Sequence, residues 1–329
     1  MIKAAALLSG GLDSLLATQV ILNQGIEVEG LNFDIGFGSK DNPASAAAKQ
    51  LGIKLQIIDV VDQYREEVLL SPKYGYGANL NPCLDCKIFM VKQAYAWIQQ
   101  NKFDFIVTGE VVGQRPMSQR TATMPLVAEQ SGADELLLRP LCAKLLPPTL
   151  PEINGWIDRE KLFGFNGRSR KPQIELAAEL GFTEFPQPAG GCLLTDENFC
   201  RRLQDFWNFR DEKYYSRQDL ELLKIGRHLK PRPEIRMIIG HNESDNNILQ
   251  KYCDEFVSLM CTSHNGPLVL LEGAIDHEAL ELAAKITARF SQGKTAEQVT
   301  VQITLPDQSV QQLIVKPMLP NEIPDGWYL

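Results

Sequence analysis

Residues 6–25 read ALLSGGLDSLLATQVILNQG. An apolar run leads into Ser9-Gly10-Gly11, and apolar positions then recur at helical spacing as far as Gly25. The spacing predicts a buried strand over 2–8, a tight turn, and a helix that starts at the turn. The first amides of a helix lack internal partners, and the helix dipole adds partial positive charge, so such a turn suits an anion. Gly10 and Gly11 let the backbone approach without a Cβ in the way, and Ser9 and Ser14 add hydroxyls. The turn holds no lysine, so it is neither the GxxxxGK[ST] loop nor GxGxxG. Asp13 is the nearest carboxylate for Mg²⁺, a hard cation that takes oxygen ligands. A plain turn with Ser14 as an ordinary cap is the reading that the bare residues leave open.

Outward from that turn the chain alternates. EVEGLNFDI (27–35), KLQIIDV (54–60) and FDFIVTG (103–109) read as strands; PASAAAKQLG (43–52) and CKIFMVKQAYAWIQQNK (86–102) read as helices. Strands alternating with helices imply a doubly wound parallel sheet covered on both faces, an α/β fold. Ligands of such sheets sit at the carboxyl ends of the strands. Phe33 is placed to pack near a base, Gly109 and Glu110 close the fourth strand, and Arg115, Ser118 and Gln119 follow in the next loop. Arg115 suits a phosphate. Asp34 and Asp59 are further strand-end carboxylates, and residues 61–82 read as polar and irregular.

Past residue 150 the alternation stops. A short helix (170–181), a Pro/Gly-rich loop FPQPAGGCLLTD (185–196) and a basic, aromatic helix NFCRRLQDFWNFR (198–210) follow. From about Tyr214 a second, smaller α/β unit begins, with strands at 234–242 and 267–273, helices at 244–253 and 276–290, and a closing hairpin, QVTVQITL and VQQLIVKP around PDQS. The expected divisions are 1–150, 151–213 and 214–329.

The composition, 44% hydrophobic and 22% charged, is that of a soluble globular chain. No apolar stretch approaches the ~18 residues that span a bilayer, and no cleavable leader is evident, so a cytoplasmic protein without membrane contact is expected. The net charge is −8, distributed as −3 over 1–156, +2 over 157–236 and −7 over 237–329. The middle third is the candidate face for a polyanion: Arg168, Arg170, Lys171, Arg201 and Arg202 for phosphates, Phe206 or Trp207 for base stacking. A solvated basic helix face with a core aromatic stripe is the alternative.

Seven cysteines occur, an odd number that argues against a disulfide framework. Cys83 and Cys86 form CxxC just ahead of a helix, and Cys192 sits in the later Gly-rich loop. Tetrahedral zinc usually takes four ligands, and no fourth stands at close spacing. Three thiolates can instead hold an iron–sulfur cluster with one iron open, or two can run persulfide chemistry. A helix-capping CxxC with an unrelated buried cysteine is the remaining reading. Cys142, Cys200, Cys253 and Cys261 are left as core or surface residues.

SGGLDS (9–14) resembles the SGGxDS signature of the PP-loop ATP pyrophosphatases, whose sheet is of the adenine nucleotide alpha hydrolase kind. That resemblance implies Mg²⁺–ATP held by its β- and γ-phosphates through Ser9, Gly10, Gly11, Asp13 and Ser14. Attack on the α-phosphate and release of pyrophosphate would follow, with Phe33, Gly109 and Arg115 as further nucleotide contacts. NPCLDCK (81–87) with the later GC loop is similar to the tRNA 2-thiouridine synthetases, and closer still to the iron–sulfur-dependent tRNA thiolation enzymes; TGEVVGQRPMSQ (108–119) resembles the tRNA 4-thiouridine synthases. The resemblance covers about residues 1–200 and lacks the RNA-binding portion that precedes the loop in the last group. It implies a [4Fe–4S] cluster on Cys83, Cys86 and Cys192, catalytic roles for Asp13, Cys86 and Cys192, and tRNA as substrate. The sulfur donor would be sulfide or a persulfide from a cysteine desulfurase. Within the superfamily the alternatives are a C–N bond-forming synthetase with structural zinc, sulfur transfer to a small molecule, and a non-catalytic RNA-binding adaptor. Residues 225–249 resemble an RNA-binding domain of ribosome-quality-control proteins of the fibronectin-binding-protein-A-like group, which would place Arg227, His228, Lys230, Arg232 and His241 on a functional face. A homodimer stays open.

Overall fold

The computed structural model of the chain describes residues 2–38, 42–185 and 191–329. The chain divides into two compact units, 1–196 and 197–329.

The first unit holds β1 (Lys3–Leu7), α1 (Leu12–Leu22), β2 (Glu27–Asp34), α2 (Pro43–Leu51), β3 (Leu55–Asp59), α3 (Val61–Tyr64), α4 (Cys83–Asn101), β4 (Phe105–Val107), α5 (Thr123–Ser131), β5 (Leu137–Leu138), α6 (Leu150–Ile153) and α7 (Lys171–Glu179). The strands run parallel in the order β3-β2-β1-β4-β5. The chain winds outward from β1 to β3, then returns to the other side of β1 for β4. Right-handed crossovers therefore place α1 and α2 on one face and α4 and α5 on the other. Ala4, Ala5 and Ala6 of β1 are fully buried, and these small side chains let helices lie close on both faces. Ala4 and Ala6 join Leu12, Leu15 and Leu16 of α1 and Leu176 and Ala177 of α7 in one core. The segment expected to be irregular after β3 carries α3 and then a π-helical turn, Arg65–Leu69.

The second unit contains α8 (Glu197–Arg210), α9 (Arg217–Leu223), β6 (Arg227–Arg232), β7 (Ile235–Ile239), α10 (Glu243–Leu249), β8 (Val257–Cys261), β9 (Val269–Gly273), α11 (His277–Arg289), β10 (Val299–Thr304) and β11 (Val310–Val315). Its sheet, ordered β11-β10-β8-β9-β7-β6, is antiparallel throughout. The reading missed β6, which carries Pro231, and β8, a five-residue run with weak flanking signals. Alternate residues of β7, β8, β9 and β10 form one core with Ala279, Ala283 and Ile286 of α11.

Three expectations for an RNA face are corrected here. Phe206 and Trp207 are buried in α8, where Phe206 receives the guanidinium groups of Arg210 and Arg236 at 4.5 and 5.2 Å and Trp207 stacks on Tyr215. Neither ring can stack on a base from that position. His228 is also buried, its Nε2 within 3.2 and 3.1 Å of the Leu222 and Ile225 carbonyls. Burial pushes its pKa down to about 3, so the ring is neutral. Lys230 pairs with Asp205 at 2.7 Å, and Arg232 with Glu278 at 3.2 Å. Arg201 and His241 are exposed, and Arg202 is half-buried, donating to the Leu329 carbonyl at 3.1 Å.

Candidate functional site

The winding direction reverses between β1 and β4, and that is where an open α/β sheet leaves a crevice at the strand ends. The loops that follow these two strands are SGGLDS and Thr108-Gly109-Glu110. They touch through backbone: a Cβ on Gly109 would stand 2.5 Å from the Asp13 carbonyl oxygen and from the Ser14 amide nitrogen. Gly10 has φ +80°, and a Cβ there would meet the Ala44 amide at 2.6 Å. Gly10 is thus required for packing onto the start of α2. Gly11 differs. It precedes α1 with ordinary φ −76°, and a Cβ would meet only Ser9 Oγ at 3.5 Å.

Ser9 Oγ and Ser14 Oγ lie 3.2 Å apart, and Ser14 Oγ donates to the Gly11 carbonyl at 2.9 Å. Asp13 Oδ2 accepts from Gln114 Nε2 at 2.7 Å and from Arg170 Nη2 at 3.4 Å; Gln173 Nε2 in turn donates to Gln114 Oε1 at 2.9 Å. Arg170, expected to meet RNA phosphate, is therefore engaged with Asp13, whereas Arg168 and Lys171 are exposed. The other Asp13 oxygen, Oδ1, is buried with no hydrogen-bond partner among the described residues.

Both loops open into a cavity of about 640 Å³. Ser9, Asp13, Ser14, Phe33, Gly109, Glu110, Arg115, Ser118 and Gln119 line it, and so do Cys83, Cys86 and Cys192. Gly10, Gly11, Asp34 and Asp59 are not in its wall; the two aspartates accept backbone amides, Gly36 and Val61, at strand ends. Cys83 and Cys86 occupy the first turn of α4, one turn apart on the same side. Asn81 Nδ2 donates to Cys83 Sγ at 3.2 Å. Burial pushes the Cys86 thiol up to about 11, against a lowering hydrogen bond from Tyr64 and the nearby Lys87 ammonium. Cys192 comes from beyond α7. Its segment is tied down where Leu193 N donates to the Phe37 carbonyl at 3.0 Å and Asn79 Nδ2 to the Thr195 carbonyl at 2.9 Å.

No three His, Cys, Asp or Glu side chains among the described residues stand close enough together to hold a single metal ion. An iron–sulfur cluster carries its irons at separate corners and takes thiolates that do not converge on one atom. Three soft sulfur donors around one roomy cavity fit that demand, and two of them have a hydrogen-bond donor aimed at sulfur.

The sequence reading passed over several wall residues: Asn32, Tyr64, Asn81, Lys87 and Met117. Lys87 follows the CxxC directly, and that adjacency was the available signal. Glu110 is fully buried, and its Oε2 accepts from Thr108 Oγ1 at 2.8 Å and Arg139 Nε at 3.1 Å. Burial alone would raise its pKa, but Lys87, Arg139 and these hydrogen bonds outweigh it and hold the carboxyl below its usual range. Arg139, just past β5, was not singled out, because its role exists only once β4 and β5 are paired.

Residues 2–134 match the family model of the tRNA methyl transferase HUP domain. Over these residues the first sheet is similar to that of the HUP domains. Residues 226–328 match the model of the NFACT protein RNA binding domain, so one chain joins the two modules. A tRNA-specific 2-thiouridylase of Mesoplasma florum is 28% identical over 228 residues, 60% of this chain and 57% of its own length. A probable tRNA sulfurtransferase of Thermococcus kodakarensis is 32% identical over 143 residues, 42% of this chain and 36% of its own. The chain therefore spans little more than half, or less, of these curated relatives. Among solved structures, the U34-tRNA thiolase NcsA from Methanococcus maripaludis with its [4Fe-4S] cluster aligns with TM-score 0.32 at 18% identity, over 68% of this chain and 72% of that one. The C-terminal part of the fibronectin/fibrinogen-binding protein from Streptococcus suis aligns with TM-score 0.29 at 11% identity, over 74% and 98%.

Proposed function

We propose that the protein inserts sulfur into a tRNA uridine in an ATP-dependent reaction. The observation that carries this reading is the shared cavity: Cys83, Cys86 and Cys192 line the same space as the SGGLDS loop. The names of the curated relatives, a 2-thiouridylase and a sulfurtransferase, support the same reaction class.

Oxygen does not leave a pyrimidine carbonyl carbon unaided. The carbonyl oxygen first attacks the α-phosphorus of ATP, the bond to pyrophosphate breaks, and the oxygen becomes the bridge to AMP. A sulfur nucleophile then adds to the same carbon, and AMP departs with the oxygen. The first step needs an anion cradle and charge neutralisation. The amides at the start of α1, the Ser9 and Ser14 hydroxyls and the exposed Arg115 serve the phosphates. Asp13 Oδ1, buried and without a hydrogen-bond partner among the described residues, is the oxygen for Mg²⁺, while Gln114 and Arg170 fix the other oxygen of the same carboxylate. Phe33, buried at the end of β2, packs the base side of the cavity.

Cys83, Cys86 and Cys192 would hold a [4Fe–4S] group, which when bound supplies an iron without a protein ligand for sulfide. The chain's own part is to hold the three sulfurs, with Asn81 and Tyr64 as donors to two of them, and to exclude water around the activated carbon. The exposed Arg168, Lys171 and Arg201 are available to tRNA phosphates.

The test is nucleoside mass spectrometry of tRNA from a deletion strain, joined to anaerobic purification of the protein. Loss of one thiolated uridine, and a brown protein with iron and acid-labile sulfide, supports the proposal. A full set of thiolated nucleosides in the deletion strain overturns it and points to a small-molecule acceptor. A colourless protein with stoichiometric zinc points to the C–N bond-forming class.

A further inference from the structure

The two edges of the second unit's sheet are built in opposite ways. At one edge β6 carries Arg227, Lys230, Pro231 and Arg232, and its register shifts between Leu229 and Arg232. The chain end covers it as well: Leu229 bridges Tyr328, and Leu329 N donates to the His228 carbonyl at 3.0 Å. Charge, proline, a bulge and a covering segment are the devices by which proteins keep a sheet edge from pairing with another chain. Among the described residues the other edge, β11, shows none of them. From Ser309 to Val315 it reads SVQQLIV, with no charge and no proline. Val310 and Ile314 are 57% and 67% exposed.

We infer that β11 pairs with β11 of a second copy of this chain, antiparallel about a two-fold axis at Gln312. Ladder geometry fixes the register. Ser309 accepts from the Leu305 amide, so the odd-numbered residues of β11 direct their backbone groups to β10. Val310, Gln312 and Ile314 then direct theirs to the open edge. A two-fold axis through Gln312 pairs it with its own copy and sets Val310 opposite Ile314 twice. The two most exposed apolar side chains of the strand thus cover each other. RNA is the poorer occupant, because the edge offers no cation between Ser309 and Val315. The balance of −7 over residues 237–329 opposes association, so the dimer tightens as salt rises, the reverse of a nucleic-acid contact.

The experiment is sedimentation equilibrium of the full chain over a range of protein and salt concentrations, with two variants. Wild-type protein is expected to dimerise, more tightly at high salt. Ile314→Lys, at an exposed position, is expected to be monomeric with an unchanged far-UV spectrum. Gln312→Cys is expected to form an oxidised dimer joined through residue 312, since directly paired Cα atoms lie within disulfide reach. A chain that is monomeric throughout overturns the proposal. So does a dimer that survives Ile314→Lys, or a cross-link mapping to other cysteines only. An RNA complex of a monomer that Ile314→Lys abolishes assigns the edge to RNA instead.

Discussion

Gly109 lies against the backbone of Asp13, so closely that the loops after β1 and β4 share one van der Waals surface. The phosphate-type turn and the fourth strand's end are thereby held at one spacing. Gly109→Ala is expected to push them apart, at about 1–3 kcal/mol of stability. Urea unfolding measures this cost. Pyrophosphate exchange with ATP should fall further than the stability loss explains, because the Asp13 carboxylate moves with its backbone.

Gly11→Ala is expected to behave in the opposite way. Its Cβ has room and its φ is ordinary, so stability should stay within about 1 kcal/mol of wild type. On the proposed function the phosphates meet the amides at the start of α1, so binding of ATP should weaken. Equal ATP affinity in Gly11→Ala and wild type would remove the phosphates from this turn.

The buried pair of Glu110 and Arg139 predicts a large loss on removal of one partner. Arg139→Ala takes the ion-pair partner from a buried carboxylate, leaving Lys87 nearby, and should cost about 3–5 kcal/mol by urea unfolding. The depressed Glu110 pKa also sets a pH dependence. Its stabilisation is fully present above the ordinary carboxylate range and is lost as pH falls through the lowered folded value. Glu110→Gln should flatten the acid limb of the stability curve and lower the plateau at neutral pH.

His228 titrates in the unfolded chain near pH 6.5 but in the folded protein only at about 3. Between those values the unfolded state holds the extra proton. Stability is therefore complete above about pH 6.5 and falls with acidification, by up to ~1.4 kcal/mol per pH unit. Thermal unfolding of wild type and His228→Gln from pH 7.5 to 4.5 checks this. The variant, which does not titrate, should lack that share of the slope.

Phe206→Ala and Arg168→Ala separate core from contact. The first removes a buried ring and should cost about 3–5 kcal/mol of stability. The second, at an exposed cation, should leave stability alone and reduce the slope of log affinity for tRNA against log salt by about 1. Salt-dependent binding titrations distinguish the two.

Much of the first unit was legible because its signals are local. The apolar run, the glycine turn and the 3.6-residue spacing of α1 lie next to one another in the chain, and so does the CxxC at the start of α4. Lys87, Tyr64 and Arg139 were not legible. Their roles come from pairing and packing between elements distant in sequence, and a lone lysine or tyrosine carries no periodicity. Gly10 carries a second demand that the sequence does not show: a Cβ there would also meet the start of α2. In the second unit the aromatic stripe of α8 was read two ways, and the core alternative holds because α8 lays Phe206 and Trp207 inward.

The third sulfur reaches the cavity from far along the chain, held there by Phe37 and Asn79 through residues just downstream of it. A ribosome adds roughly 5–20 residues per second, so the Cys83–Cys86 pair is synthesised several seconds before Cys192 exists. Throughout that interval the nascent domain carries the two neighbouring thiols of α4 without Cys192. Any prosthetic group that requires all three must be installed after translation has passed Thr195, and an oxidant that arrives earlier meets an undefended dithiol.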